Sequence, residues 1–202
     1  MLQLLFRTLP PASTTQNPTA AAAAAAAGLA VQLPIRLARR KSCRAMAAQK
    51  EKVWDYPRPP RLEPTSRHLV VKLGDTVIAD TTQAYRVLET SHPPTYYLPP
   101  ADCREQFFTA SSKSQTFCEW KGKASYHDVA AGGQEAKARA WSYQNPTQPF
   151  AAIKGYYSFY ASPFTCEVDS EVVQAQPGDF YGGWVTSDVE GPFKGAPGTM
   201  GW

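Results

Sequence analysis

A single β-dominated domain, mainly antiparallel, is the fold that this 202-residue chain predicts. Three observations carry that reading. Short runs of β-branched and aromatic residues recur between Gly and Pro punctuation. The crossover helices that a parallel α/β sheet requires are missing. Composition also changes abruptly near residue 50, so the domain is expected to span 51–202 behind a disordered leader over 1–50.

The leader carries seven basic side chains, from Arg7 to Lys50, and no acid. It also holds an alanine run from Ala20 to Ala27 and the basic stretch Arg36-Leu37-Ala38-Arg39-Arg40-Lys41. Positive charge, Ser/Thr content and the lack of acids are the composition of an organellar transit peptide, with the chloroplast favoured over the mitochondrion. A secretory signal and a plain disordered tail are the competing readings. Initiation at Met46 would give a cytosolic form. Without the leader the body holds 14 basic and 17 acidic residues, net −3, so the overall +4 does not mark a nucleic-acid-binding surface. No run of about 18 apolar residues exists, and no membrane span is expected.

Within the body, His68 to Leu73 and Thr76 to Asp80 around Gly74-Asp75 predict a β-hairpin. Ala84 to Leu88 and Thr95 to Leu98 predict further strands, broken by His92-Pro93-Pro94. Pro99-Pro100-Ala101-Asp102 predicts the start of a short helix over Cys103 to Phe108, since proline and an early acid suit a first turn. Thr116 to Trp120 and Ala124 to Val129 predict a strand pair around Lys121-Gly122-Lys123. Gly132-Gly133 then turns the chain into Ala136 to Tyr143, and Tyr156 to Tyr160 and Thr165 to Val168 follow. Gly178 to Trp202 reads as ordered loop wrapping the sheets.

Standard chemical motifs are missing: no phosphate-binding loop, no nucleophile elbow, no histidine pair at metal-ligand spacing. Cys103, Cys118 and Cys166 stand too far apart in sequence for a zinc knuckle or a disulfide framework. Neither a metal nor a cofactor is expected. The segments that remain place aromatics beside single charged groups, as a small-molecule cleft requires. From them Arg86, Tyr97, Trp120, Lys121, Tyr126, Trp141 and Tyr143 are the candidate ligand-binding residues. Lys121, between Trp120 and a glycine turn, is oddly placed for packing and stands out.

Taken in order, Arg86–Glu89, Tyr96-Tyr97-Leu98-Pro99-Pro100-Ala101-Asp102, Trp120 to Tyr126, Ala140 to Tyr143, Gly155-Tyr156 and Phe159-Tyr160 resemble the family catalogued as domain of unknown function 427. The resemblance covers roughly residues 58–168, with 178–202 similar to an extension that some members carry. It implies a β-tent-like domain, two antiparallel sheets meeting at an angle with a cleft or tunnel between them. The family sometimes bears a nucleotidyltransferase-type label. Two-metal transfer would need paired aspartates on a strand, and Asp169-Ser170-Glu171 reads instead as a hairpin turn.

The leading expectation is a soluble domain that binds a small organic molecule in an aromatic-lined cleft. A second is an enzyme acting on a phosphorylated or carboxylated metabolite through Arg86, Glu89, His92 and Lys121. A third is an interaction module whose tail, Gly178 to Trp202, docks on a partner or pairs protomers in a homo-oligomer.

Overall fold

Hairpins build most of the architecture, and their turns explain where the strands start and stop. The computed structural model describes residues 50–202; apart from Lys50, the leader and the targeting signal expected in it lie outside the described residues. Leu69–Leu73 and Thr76–Thr81 pair antiparallel across the two-residue turn Gly74-Asp75. Thr165–Val168 adds to the other edge of Leu69–Leu73, followed by Glu171–Val172, which completes a four-stranded sheet. Asp169 and Ser170 both take left-handed backbone (φ 51° and 70°) in the tight turn between those last two strands, the conformation that two-residue hairpins favour.

The longest hairpin joins Gly122–Ala131 to Gln134–Ser142. Gly132 and Gly133 turn it with φ of 57° and 75°, values that glycine adopts without a Cβ penalty. Pairing slips between Ala136 and Ala140, where Ala138 is itself left-handed and donates its N–H to Asp128 Oδ1 at 2.7 Å. Such a bulge bends the hairpin and raises its twist. Tyr157–Phe159, Phe108–Ala110 and Thr116–Cys118 extend this into a five-stranded sheet.

A third sheet places Ala84–Leu88 between Arg61–Thr65 and Thr95–Tyr97. Its last strand runs on into Leu98, which exchanges backbone hydrogen bonds of 2.8 and 2.9 Å with Tyr157. The three-stranded and five-stranded sheets are thereby joined edge to edge. The two sheets implied by the family resemblance are realised as three larger sheets, two of them continuous through this bridge, with two further two-stranded pairs.

Because side chains alternate along a strand, the joined sheets present two apolar faces. Tyr96, Leu98, Val129, Ala140 and Phe159 pack with Leu69, Val71 and Ile78 of the four-stranded sheet to form the main core. Val87, Tyr97, Tyr126, Trp141 and Tyr143 gather in a second cluster on the other face. The helix expected over Cys103 to Phe108 is replaced by two single 3₁₀ turns, Pro100–Asp102 and Glu105–Phe107. Cys103 bridges Ala79, and the Arg104 N–H donates to Ile78 O at 2.8 Å. The sheet edge thus claims the backbone that a helix would have used.

The tail is part of the fold. Trp184 is fully buried, its Nε1–H donates to Phe159 O at 2.9 Å, and its ring lies 5.2 Å from that of Tyr96. Further on, Val189–Glu190 pairs in parallel with Glu51–Lys52. Trp184→Ala is therefore expected to lower stability by about 3–5 kcal/mol in urea unfolding; an unchanged midpoint would show the tail to be outside the cooperative unit.

Candidate functional site

The second apolar face is not covered by another sheet. It floors a cleft of about 570 Å³, within the range of small-molecule sites. Tyr126 and Trp141 are cross-strand partners on the long hairpin, so their rings point the same way. Tyr143 follows Trp141 by two residues and shares its face, while its backbone bridges Lys154. From the three-stranded sheet, Val87 and Tyr97 reach the same space. The floor is therefore a consequence of strand alternation in two sheets that share one edge.

One wall is the turn Glu119–Lys121. Thr147 fastens it, donating its N–H to Lys121 O at 3.2 Å and its hydroxyl to Trp120 O. Lys121 is only 9% exposed, and its ammonium lies 5.7 Å from the Phe150 ring centre. Among the described residues no carboxylate pairs with it. The opposite wall is the segment Asp179 to Gly182. Asp179 makes a bidentate pair with Arg139 at 2.6 and 2.9 Å, and that pairing holds its carboxyl below the usual range against a smaller opposing effect of burial. Tyr160 stacks between, its ring 4.7 Å from Trp141 and 4.4 Å from the Arg139 guanidinium. Gly182 lies so close to Trp141 that a Cβ there would overlap the indole, which leaves no room for another residue.

His92 closes one end. Ser91, left-handed at φ 68°, and the His92 N–H to Glu89 O bond of 2.9 Å turn the imidazole inward. Gln176 then determines the proton position on that ring. Its Oε1 accepts from the Gly183 N–H at 3.0 Å, so its Nε2 is the donor, giving one hydrogen to Lys194 O at 2.8 Å and one to His92 Nδ1 at 3.0 Å. Nδ1 must accept, and the neutral ring carries its hydrogen on Nε2. Burial, reinforced by the charges of Lys194, Lys121 and Arg58, pushes the imidazole down to about 4.

Two more donors lack partners: the Tyr97 hydroxyl, on a ring with no exposure, and Trp120 Nε1–H. Burial holds the Tyr97 and Tyr143 phenols well above their ordinary range, with Lys121 partly offsetting the effect at Tyr143. Both hydroxyls stay protonated.

Of the residues expected from sequence, the cleft brings together Tyr97, Trp120, Lys121, Tyr126, Trp141 and Tyr143. Arg86 stands outside. It neighbours Val87 on one strand, so alternation sends it to the other face, where its guanidinium is held by Glu51 at 2.9 Å and Glu63 at 2.6 Å. The charged cluster of Arg86, Glu89, His92 and Lys121 is accordingly not assembled: the last three line the cleft and the first does not. Tyr160, Gln176 and Lys194 are the additions that sequence reasoning had not singled out. Lys194 and Tyr160 sit in motifs with aromatic character, whereas nothing around Gln176 signals its role. Among the described residues, no group of three or more His, Cys, Asp or Glu is placed to hold a metal ion, and no helix is long and apolar enough to cross a membrane.

Residues 61–174 match the model of a family described as "Domain of unknown function (DUF427)". No curated protein matches the chain significantly. The matched span contains the cleft floor and the Lys121 turn; Gln176, the Asp179 to Gly182 wall and Lys194 follow it in sequence.

A neutral His92 predicts a pH dependence of stability. The unfolded chain takes up a proton near pH 6.5, whereas the folded ring does so only near 4. Stability is therefore lost as pH falls through that window, by up to about 1.4 kcal/mol per pH unit from this residue. His92→Gln should flatten urea-unfolding stability measured between pH 7 and 4.5 relative to the wild type. Parallel curves would contradict a neutral His92.

Proposed function

This chain belongs to the DUF427 family, and on that premise we propose that it binds a small organic molecule in the aromatic cleft. The observation that carries the reading is a cavity of about 570 Å³ lined by Tyr97, Tyr126, Trp141 and Tyr143, in which the Tyr97 hydroxyl and Trp120 Nε1–H have no partners. An apolar face this size is ordinarily covered by another element, and buried polar groups are ordinarily hydrogen-bonded. A bound molecule covers that face. Flat aromatic walls supply apolar area at low conformational cost, and a few fixed polar groups orient the ligand. The acid-free leader supports delivery of this domain to an organelle, the plastid before the mitochondrion.

Native and denaturing mass spectra of the purified chain are expected to differ by a released small molecule. Trp141→Ala should abolish the adduct by removing the largest ring of the floor. Lys121→Ala, on the cleft wall, should weaken it while shifting the melting temperature by no more than a few degrees. An apo spectrum together with silence across a metabolite panel in thermal shift would remove the ligand reading.

A further inference from the structure

The polar lining of the cleft is one-sided in its hydrogen-bonding character. Lys121 can only donate, and so can Trp120 Nε1–H. His92 is fixed by Gln176 with its hydrogen on Nε2. The Tyr97 hydroxyl has no acceptor among the described residues. The carboxylates around the cleft are otherwise engaged or remote from this group: Glu89 pairs with Arg58 at 3.6 Å, Asp179 with Arg139, and Glu119 is exposed. Two other lysines line the cleft, but Lys194 donates to Trp202 O at 2.7 Å and Lys113 lies over the Tyr126 ring at 3.7 Å near solvent. The inner part of the site thus offers one buried ammonium without a hydrogen-bond partner, together with neutral donors and the Tyr97 and Tyr143 hydroxyls, and no free carboxylate of comparable burial.

Resting on the reading of the cleft as a ligand site, we infer that its ligand is a small monocarboxylate with a flat, apolar body. The carboxylate takes the Lys121 ammonium and the Trp120 N–H, and the body lies against Trp141 and Tyr143. A carboxylate is acceptor-only and carries one charge, which matches the one lysine of the lining that is both buried and without a hydrogen-bond partner. A phosphate dianion would leave a charge unbalanced in a site walled by rings, and a buried unpaired charge is costly. An organic cation would face donors and a like charge. A neutral amide brings no charge to meet the Lys121 ammonium.

Calorimetric titration of the full chain with 2-naphthoate, 2-naphthamide, 2-naphthyl phosphate and 2-naphthylmethylamine tests the inference. The naphthoate is expected to bind roughly tenfold or more tightly than the amide, since a hydrogen bond to a charged group outweighs a neutral one. Lys121→Met should erase that preference while leaving amide affinity in place. Trp120→Phe, which keeps an aromatic ring but removes the N–H together with the second ring of the indole, should lower naphthoate affinity more than amide affinity and so narrow the preference even if the lysine variant fails to fold. Equal affinity for naphthoate and amide overturns the carboxylate assignment and leaves the apolar cleft standing as a ligand site. Tighter binding of the phosphate or the amine overturns it in the same way. Binding of none of the four also overturns the assignment, and whether the cleft holds any ligand is then decided separately by the released-adduct spectrum.

Discussion

The backbone exchange between Leu98 and Tyr157 turns two short sheets into one surface with two usable faces. Tyr96, Tyr97 and Leu98 run along that seam, and their alternation divides them between the core and the cleft. The same division recurs on the neighbouring strand, where Ala140 faces the core and Trp141 the cleft. Thr95–Tyr97 and Gln134–Ser142 therefore each carry both fold and site. A shift of register by one residue would move aromatic rings into the core and small residues into the cleft. The bulge at Ala136–Ala140, anchored by Asp128, lies within the hairpin whose register must hold.

Electrostatics in the cleft follow from a few buried amide and ring contacts. Gln176 can orient His92 only because Gly183 first orients Gln176. Burial and the nearby charges of Lys194 and Lys121 keep the imidazole neutral, and the Gln176 contact fixes where its one hydrogen sits. The orientation of each donor is set before any ligand arrives, which lowers the ordering cost of binding.

Much of this was legible in the sequence because it depends on local rules. Gly132-Gly133 and Gly74-Asp75 announced their turns, and the strands between them followed. Trp120 and Lys121 were legible as a pair because a lysine between an indole and a glycine turn has little packing use. Arg86 was not legible in the same way: Tyr85, Arg86 and Val87 form a strand buried on both sides, and alternation alone cannot say which side is the cleft. The helix after Pro99 had sound capping chemistry, yet tertiary pairing with Ile78 and Ala79 claimed its backbone. Gln176 left no trace, since its role depends on contacts with residues distant in sequence.

The glycine at 182, pressed against Trp141, belongs to a wall encoded after the span that the family model matches. Floor and wall are thus written in separate stretches of the chain. The floor is bound to the hydrogen-bond ladder of the sheets and can change little without unravelling it. The wall is fastened mainly by the Arg139–Asp179 pair and the Tyr160 hydroxyl bond to Phe180 O, which a side-chain substitution at Phe180 or Tyr181 need not disturb. On the proposed reading of the cleft as a ligand site, such a division lets a new preference arise by rewriting a few wall residues, with the sheet architecture left as it was.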